Sequence, residues 1–183
     1  MFSNFEASIN NDKMQQNKCV FLDRDGVLNE ERGDYTYEID DFVLVPGVIE
    51  ALQLLKAADY LLVVVTNQAG IAKGLYTKQD MDACHEKLHQ ETNYILNAIY
   101  YAPQHPVISN SLARKPDSLM LERAIARFNI DPNQSWLVGD RLRDLEAGKK
   151  VGVKGILVGA EPAPVGILYA ANLLRAAHLI IQK

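Results

Sequence analysis

Short unbroken apolar runs alternate along the chain with longer stretches in which apolar residues recur every three or four positions. Runs of the first kind are Cys19-Val20-Phe21-Leu22, Tyr60 to Val65, Ile99-Tyr100-Tyr101, Trp136-Leu137-Val138 and Gly155-Ile156-Leu157-Val158. Their length and β-branched content read as strands, with Tyr60 to Val65 buried on both faces. Val48 to Ala58 follows Pro46-Gly47 and spaces Val48, Leu52 and Leu55 as a helix does. Thr77-Lys78-Gln79-Asp80 resembles a capping box with Asp in place of Glu, opening a helix to about Asn97. Leu119 to Phe128 is expected to be helical with Asp117 or Ser118 as cap. A short helix is expected over Asp144 to Lys150, and another over Ile167 to Ala177 before Leu179-Ile180-Ile181. Strands alternating with helices in this way predict a parallel α/β sheet.

Polar residues collect where the strand-like runs stop, and a parallel sheet would bring such ends to one edge, where open α/β sheets bind ligands. Asp23 and Asp25, two apart as the first strand ends, point roughly the same way. Neighbouring carboxylates repel unless a cation neutralises one and the other carries a proton, which suits covalent phosphoryl transfer. Asp23 is then the nucleophile, giving an aspartyl phosphate, and Asp25 the acid and base. Gly26 lets the backbone turn beside the ligand. Thr66 offers a hydroxyl and, with Asn67, backbone donors for phosphoryl oxygens. Lys115, biased to extended backbone by Pro116, can project a fixed charge, and Arg114 beside it faces the rim. Asp140 with Asp23 supplies hard oxygen ligands of the kind magnesium takes, and Asp144 could orient a water or a backbone donor. Taken singly, each segment also fits an ordinary strand end, turn or helix cap.

Composition narrows the classes. The 183 residues suit one α/β domain, placed at 18–183 after a flexible tail at 1–17. A formal charge of -4 gives no basic footprint for nucleic acid. Cys19 and Cys84 are too few for a disulfide framework, which points to a reducing, cytoplasmic setting. No run reaches the roughly 18 apolar residues that span a bilayer. A soluble monomer acting on a small phosphorylated metabolite, without nucleic acid or membrane, is the expectation.

At Phe21-Leu22-Asp23-Arg24-Asp25-Gly26-Val27-Leu28-Asn29, Val64-Val65-Thr66-Asn67-Gln68-Ala69-Gly70-Ile71-Ala72, Tyr100-Tyr101-Ala102-Pro103 and Arg114-Lys115-Pro116 the chain resembles the haloacid dehalogenase superfamily. Within it, the likeness over about Cys19 to Ala160 is to the small heptose bisphosphate phosphatases and the related histidinol-phosphate phosphatases. The resemblance implies a Rossmann-like three-layer α/β/α sandwich with no large cap. It implies magnesium held by Asp23, the Asp25 backbone carbonyl and Asp140, with Asp144 behind them. It implies substrate contacts from Glu31, Arg32, Gly33 and Asp34, from Thr66, Asn67, Gln68 and Ala69, and from Arg114 and Lys115. Relatives carry a structural zinc on three Cys and one His, where this chain has Ala102, Gln104, Ser111 and Ala113. A zinc-free variant is therefore expected. The final helix of relatives has no clear counterpart so soon after the last strand.

One motif competes. His85-Glu86-Lys87-Leu88-His89 has the His-Glu-x-x-His spacing of zinc proteases, though no extended histidine pattern follows. Met81, Cys84, Leu88 and Ile95 form a core-facing stripe, which places both histidines at its surface flanks. A phosphate-binding protein on a retired phosphatase fold is the reading outside catalysis.

Overall fold

The computed structural model describes residues 16–159 and 164–183. Six strands form one sheet in the order β3-β2-β1-β4-β5-β6. These are β1 Cys19–Leu22, β2 Leu61–Asn67, β3 Ala98–Ala102, β4 Trp136–Gly139, β5 Lys154–Val158 and β6 Tyr169–Ala170. Every pairing between them is parallel. The helices are α1 Val48–Ala57, α2 Lys78–Glu91, α3 Leu119–Phe128, α4 Leu142–Lys150 and α5 Leu173–Ile181. Fold class thus follows the alternation read from the sequence. No helix among the described residues is long and apolar enough to cross a membrane. Most of the tail expected at 1–17 lies outside the described residues; Asn17 already bridges to Ile130.

Strand alternation divides the core. Val20, Leu22, Leu62, Val64, Val138 and Ile156 face one side, against Leu52 and Leu55 of α1, Leu88 of α2 and Leu173 and Ala177 of α5. Cys19, Phe21, Val63, Val65 and Leu137 face the other, against Met120, Leu121 and Ala124 of α3 and Ala147 of α4. Burying each large aliphatic or aromatic side chain contributes roughly 1.5–3 kcal/mol. The central strands, covered on both faces, are therefore the rigid part on which loops can be hung.

Two expectations need correction. The helix opened by Thr77, whose hydroxyl accepts from Asp80 N–H in a true capping box, ends at Glu91 and not near Asn97. Thr92 Oγ1 donates back to the Leu88 carbonyl at 2.7 Å, and Asn93 and Tyr94 turn left-handed at φ 52 and 54. A local side-chain bond thus displaces the helical pattern there. At the far end, the helix expected over Ile167 to Ala177 is instead the short strand β6 followed by α5, N-capped by Asn172, which accepts from Arg175 N–H at 3.0 Å. Asn172 reads as a break in an apolar stretch, yet it is the signal that starts the terminal helix.

Strand order sets the location of any ligand. The chain builds β1, β2 and β3 in one direction, then returns to lay β4 on the other side of β1. Such a reversal opens a crevice at the carboxyl ends of the two diverging strands. Leu22 pairs with Val138, so the residues after β1 and β4, Asp23 and Asp140, flank that crevice.

Candidate active site

Asp23 leaves β1 anchored from several sides. Its backbone N–H donates to Val138 O at 2.9 Å, while its Oδ1 accepts from Arg24 N–H at 2.7 Å. Lys115 Nζ lies 2.9 Å from the same Oδ1 and 2.9 Å from Asp144 Oδ1, and it donates to Val65 O at 2.7 Å. Both ion-pair partners and the lysine are buried. Burial pushes the Asp23 carboxyl up to about 7 against the pull of Lys115, with Asp144 and Asp25 adding to the rise. Burial works against the Lys115 charge as well, yet Asp23 and Asp144 together hold its ammonium above the ordinary lysine range.

Lys115 reaches this place because its backbone is clamped. Asn67 Oδ1 accepts from Lys115 N–H and Asn67 Nδ2 donates to Lys115 O, both at 3.0 Å. The Asn67 side chain, expected near the substrate, is thereby committed to the loop that carries the lysine.

Asp140 stands across from Asp23. Its Oδ2 pairs with Arg141 Nε at 3.0 Å. Burial, with Asp144 behind it, raises its carboxyl to about 6, opposed by Arg141. Gly26 is required beside it: φ is +79, and a Cβ there would sit 2.7 Å from Asp140 Oδ2. Asp144 Oδ2 accepts from Arg141 N–H at 3.0 Å, fixing the first turn of α4. Asp23, Asp140 and Asp144 each offer an oxygen within 4.8 Å of the others. Asp23 and Asp144 share the buried Lys115 ammonium while Asp140 pairs with Arg141, and three such hard oxygen donors fit a divalent magnesium ion.

Asp25 takes a different environment. Its carboxylate accepts from Arg24 Nε and Nη2, from Asn29 Nδ2 at 3.0 Å and from Gln68 Nε2 at 3.0 Å. It stays outside the trio of acids. Gln68 also donates to Thr66 Oγ1 at 2.9 Å and accepts from Tyr76 O–H at 2.7 Å. The Tyr76 ring fits there only because Gly70 has no side chain, since a Cβ would lie 2.0 Å from it. Ala69 is buried.

Two clefts open at this edge. One, of about 330 Å³, is lined by Arg24, Asp25, Glu31, Gly33, Asp34, Tyr35, Thr36, Asn67, Gln68, Arg141 and Arg143. The other, of about 320 Å³, runs past Arg114, Lys115 and the loop at Pro106 to Leu112. Of the rim residues expected from the sequence, Glu31, Gly33 and Asp34 line the first cleft, and Glu31 is tied to Arg141 Nη2 at 3.4 Å. Arg32 is not brought there; it pairs with Asp41. Arg114 Nη1 donates to Gln104 O at 3.4 Å, closing the loop that holds Ser111 and Ala113.

The sequence motifs leave Arg24, Asn29, Arg141 and Arg143 without a role. A signal existed for two of them: Arg141 and Arg143 sit at the start of α4, where the helix dipole disfavours cations. Basic residues in that position suit an anion bound in front of the helix.

The competing histidine motif does not assemble. His85 is buried, not at the surface flank, and burial lowers its imidazole to about 3. Glu86 is occupied by Tyr94 O–H at 2.7 Å and Gln90 Nε2 at 3.0 Å.

A family model described as HAD-hydrolase-like matches residues 112–172. The D-glycero-beta-D-manno-heptose-1,7-bisphosphate 7-phosphatase of Haemophilus ducreyi is 44% identical over 146 residues, covering 75% of this chain and 80% of that protein. The enzyme of the same name from Neisseria meningitidis serogroup A is 40% identical over 144 residues, with 77% and 76% covered. Among solved structures, D,D-heptose 1,7-bisphosphate phosphatase from B. bronchiseptica, complexed with magnesium and phosphate, superposes with a TM-score of 0.82 at 30% identity, covering 90% of this chain and 98% of that one. With this agreement in sequence and fold, the chain belongs to the haloacid dehalogenase-like phosphatases, enzymes that hydrolyse phosphoric monoesters.

Proposed function

We propose that the protein removes one phosphate from a sugar bisphosphate of the heptose class, with magnesium at Asp23, Asp140 and the Asp25 backbone carbonyl. The observation that carries this reading is the buried Asp23–Lys115–Asp144 group beside Asp140 at the crevice between β1 and β4. The curated relatives named above share that substrate by name. Magnesium bound there would draw negative charge off the phosphoryl oxygens.

The chain's own residues divide the rest. Lys115 and Arg24 N–H both engage Asp23 Oδ1, which leaves Oδ2 to attack phosphorus. As the Oδ2–P bond forms, the P–O bond to the sugar breaks, and the departing oxygen takes the proton of the Asp25 carboxyl. Water then attacks the aspartyl phosphate and gives its proton to Asp25, releasing phosphate and restoring both carboxyl groups. Thr66 Oγ1 and nearby backbone N–H groups hold the phosphoryl oxygens. Glu31, Gly33, Asp34, Gln68 and Arg114 contact the sugar and its second phosphate. Asp144 acts from behind by holding Lys115 and the turn at Arg141.

The loop through Gln104, Ser111 and Ala113 works without zinc, closed by hydrogen bonds from Arg114 N–H to Ser111 O and from Ala113 N–H to Ser111 Oγ. A cytoplasmic monomer completes the reading.

Asp23→Asn tests the chemistry. Magnesium-dependent phosphate release from a heptose bisphosphate should fall by at least ~10³-fold while the circular dichroism spectrum is unchanged, because an amide cannot form the acyl phosphate. Retention of most of the single-turnover rate would refute the covalent route, and failure of the wild-type protein to prefer the bisphosphate over histidinol phosphate would refute the substrate.

A further inference from the structure

Arg24 is the bulkiest of the fully buried side chains among the described residues, and the reaction above uses only its backbone. Burying a guanidinium costs several kcal/mol unless it is well paired, and an apolar replacement is often no less stable. Beyond its hydrogen bonds the guanidinium has the face of Phe42, 5.7 Å from guanidinium carbon to ring centroid. Nearly all of its hydrogen bonding goes to one partner. Nε and Nη2 reach Asp25 Oδ1 at 3.1 and 2.9 Å, and Nη2 reaches Oδ2 at 3.1 Å. Nη2 also donates to Thr36 O at 2.8 Å, on the wall of the cleft, and Nη1 is buried without a partner. The Asp25 side chain, by contrast, keeps 28% of its surface open. A buried cation thus spends its donors on a carboxylate that faces solvent.

The backbone makes this fork stiff. Arg24 O accepts from the N–H groups of Leu28 at 2.8 Å and Asn29 at 3.1 Å, and Gly26 N–H closes onto Asn29 O at 2.8 Å. Asn29 then returns its own amide to Asp25 Oδ1 at 3.0 Å. We propose that Arg24 is a positioning residue: its buried fork, with Asn29, fixes the Asp25 carboxyl at the cleft wall and so sets where the proton is delivered to the leaving oxygen. The inference rests on the acid role given to Asp25 above.

Such a role has a signature that packing alone lacks. A sugar alkoxide leaves poorly and needs the proton of Asp25 as its bond to phosphorus breaks; a dinitrophenolate leaves without one. The test measures single-turnover release of the alcohol or phenol with saturating magnesium, for a sugar phosphate and for 2,4-dinitrophenyl phosphate. Wild type is compared with Arg24→Gln, Arg24→Lys, Asn29→Ala and Asp25→Asn. Arg24→Gln should lose roughly 30- to 100-fold on the sugar phosphate but less than about 5-fold on the dinitrophenyl ester, with KM for both nearly unchanged. Arg24→Lys should recover only part, since an ammonium cannot form the planar fork. Asn29→Ala should show the same selectivity at smaller size, and it carries the test alone if the Arg24 variants do not fold. Equal losses on both esters, while Asp25→Asn remains selective, would reduce Arg24 to a packing residue. An unselective Asp25→Asn would instead remove the acid role itself, and the reason for the fork with it.

Discussion

The floor of the site and its rim are built by opposite means. Asp23, Lys115 and Asp144 on the floor are buried, and they are held by one another, by Val65 O and Val138 O of the central strands, and by the backbone N–H groups of Arg24 and Arg141. Around the mouth, Glu31, Asp34, Arg141 and the loop carrying Val107 and Leu112 come from connecting segments, and Val107 keeps 87% of its surface in solvent. The function proposed above would thus place its chemistry on buried, mutually paired groups against the central strands. It would leave selection of the substrate to loops that can change without disturbing the sheet. The comparison predicts that floor substitutions damage stability and turnover together, whereas rim substitutions alter affinity alone.

Lys115→Met should strike hardest. Removing the ammonium leaves Asp23 and Asp144 buried without their partner, which should cost about 3–5 kcal/mol in urea unfolding at neutral pH. Turnover should fall at least ~10³-fold in the same protein. A stable and active Lys115→Met enzyme would break the contrast, because the floor would then not depend on its buried charge.

Behind the floor, His85 sharpens it through pH. Its imidazole is lowered from 6.5 to about 3, first by burial and then by Arg24 and His89, against Asp82 and Asp25. An unfolded chain therefore binds a proton near pH 6.5 that the folded one refuses until about pH 3. Below 6.5 the unfolded state binds more protons, so this group subtracts stability as pH falls, by up to ~1.4 kcal/mol per pH unit across that window. Denaturant midpoints of His85→Phe should fall less steeply than wild type between pH 6 and 4, and parallel curves would show that His85 is not held neutral.

At the rim the effects shrink. Arg114→Ala should raise KM for a bisphosphate roughly tenfold and leave kcat within about twofold, with little change on an aryl monophosphate. Arg32→Ala, aimed at Asp41 and away from the cleft, should change neither beyond experimental scatter. A matching rise in KM from Arg32→Ala would place the loop differently around bound substrate.

The same contrast explains what the sequence disclosed. Strand ends are legible because unbroken apolar runs stop abruptly, and Asp23, Thr66 and Asp140 stand at those stops. Lys115 is legible through the proline after it. What cannot be read is which donors a side chain takes when its backbone turns. Asn67, at the cleft wall, gives its side chain to the lysine loop, and Arg24 folds back onto its neighbour Asp25. Nor does alternating hydrophobicity separate His85 from the stripe of Met81, Cys84 and Leu88, since an imidazole packs there once burial keeps it neutral. At the C-terminal end, a single capping asparagine decides between one long helix and a strand followed by a helix, and a polar residue in an apolar stretch carries no label for which.

The central position of β1 also has a consequence in time. Phe21 stands in register with Val63 on one side and Leu137 on the other, so an early segment waits for a late one before its second edge is covered. A chain synthesised only through β3 lacks Asp140 and Asp144, which come later in the sequence. A partly made chain has no acid trio with which to capture a divalent ion. The first appearance of ion-dependent protection from proteolysis on stalled nascent chains would therefore mark the docking of β4 beside β1, the step that makes the sheet whole.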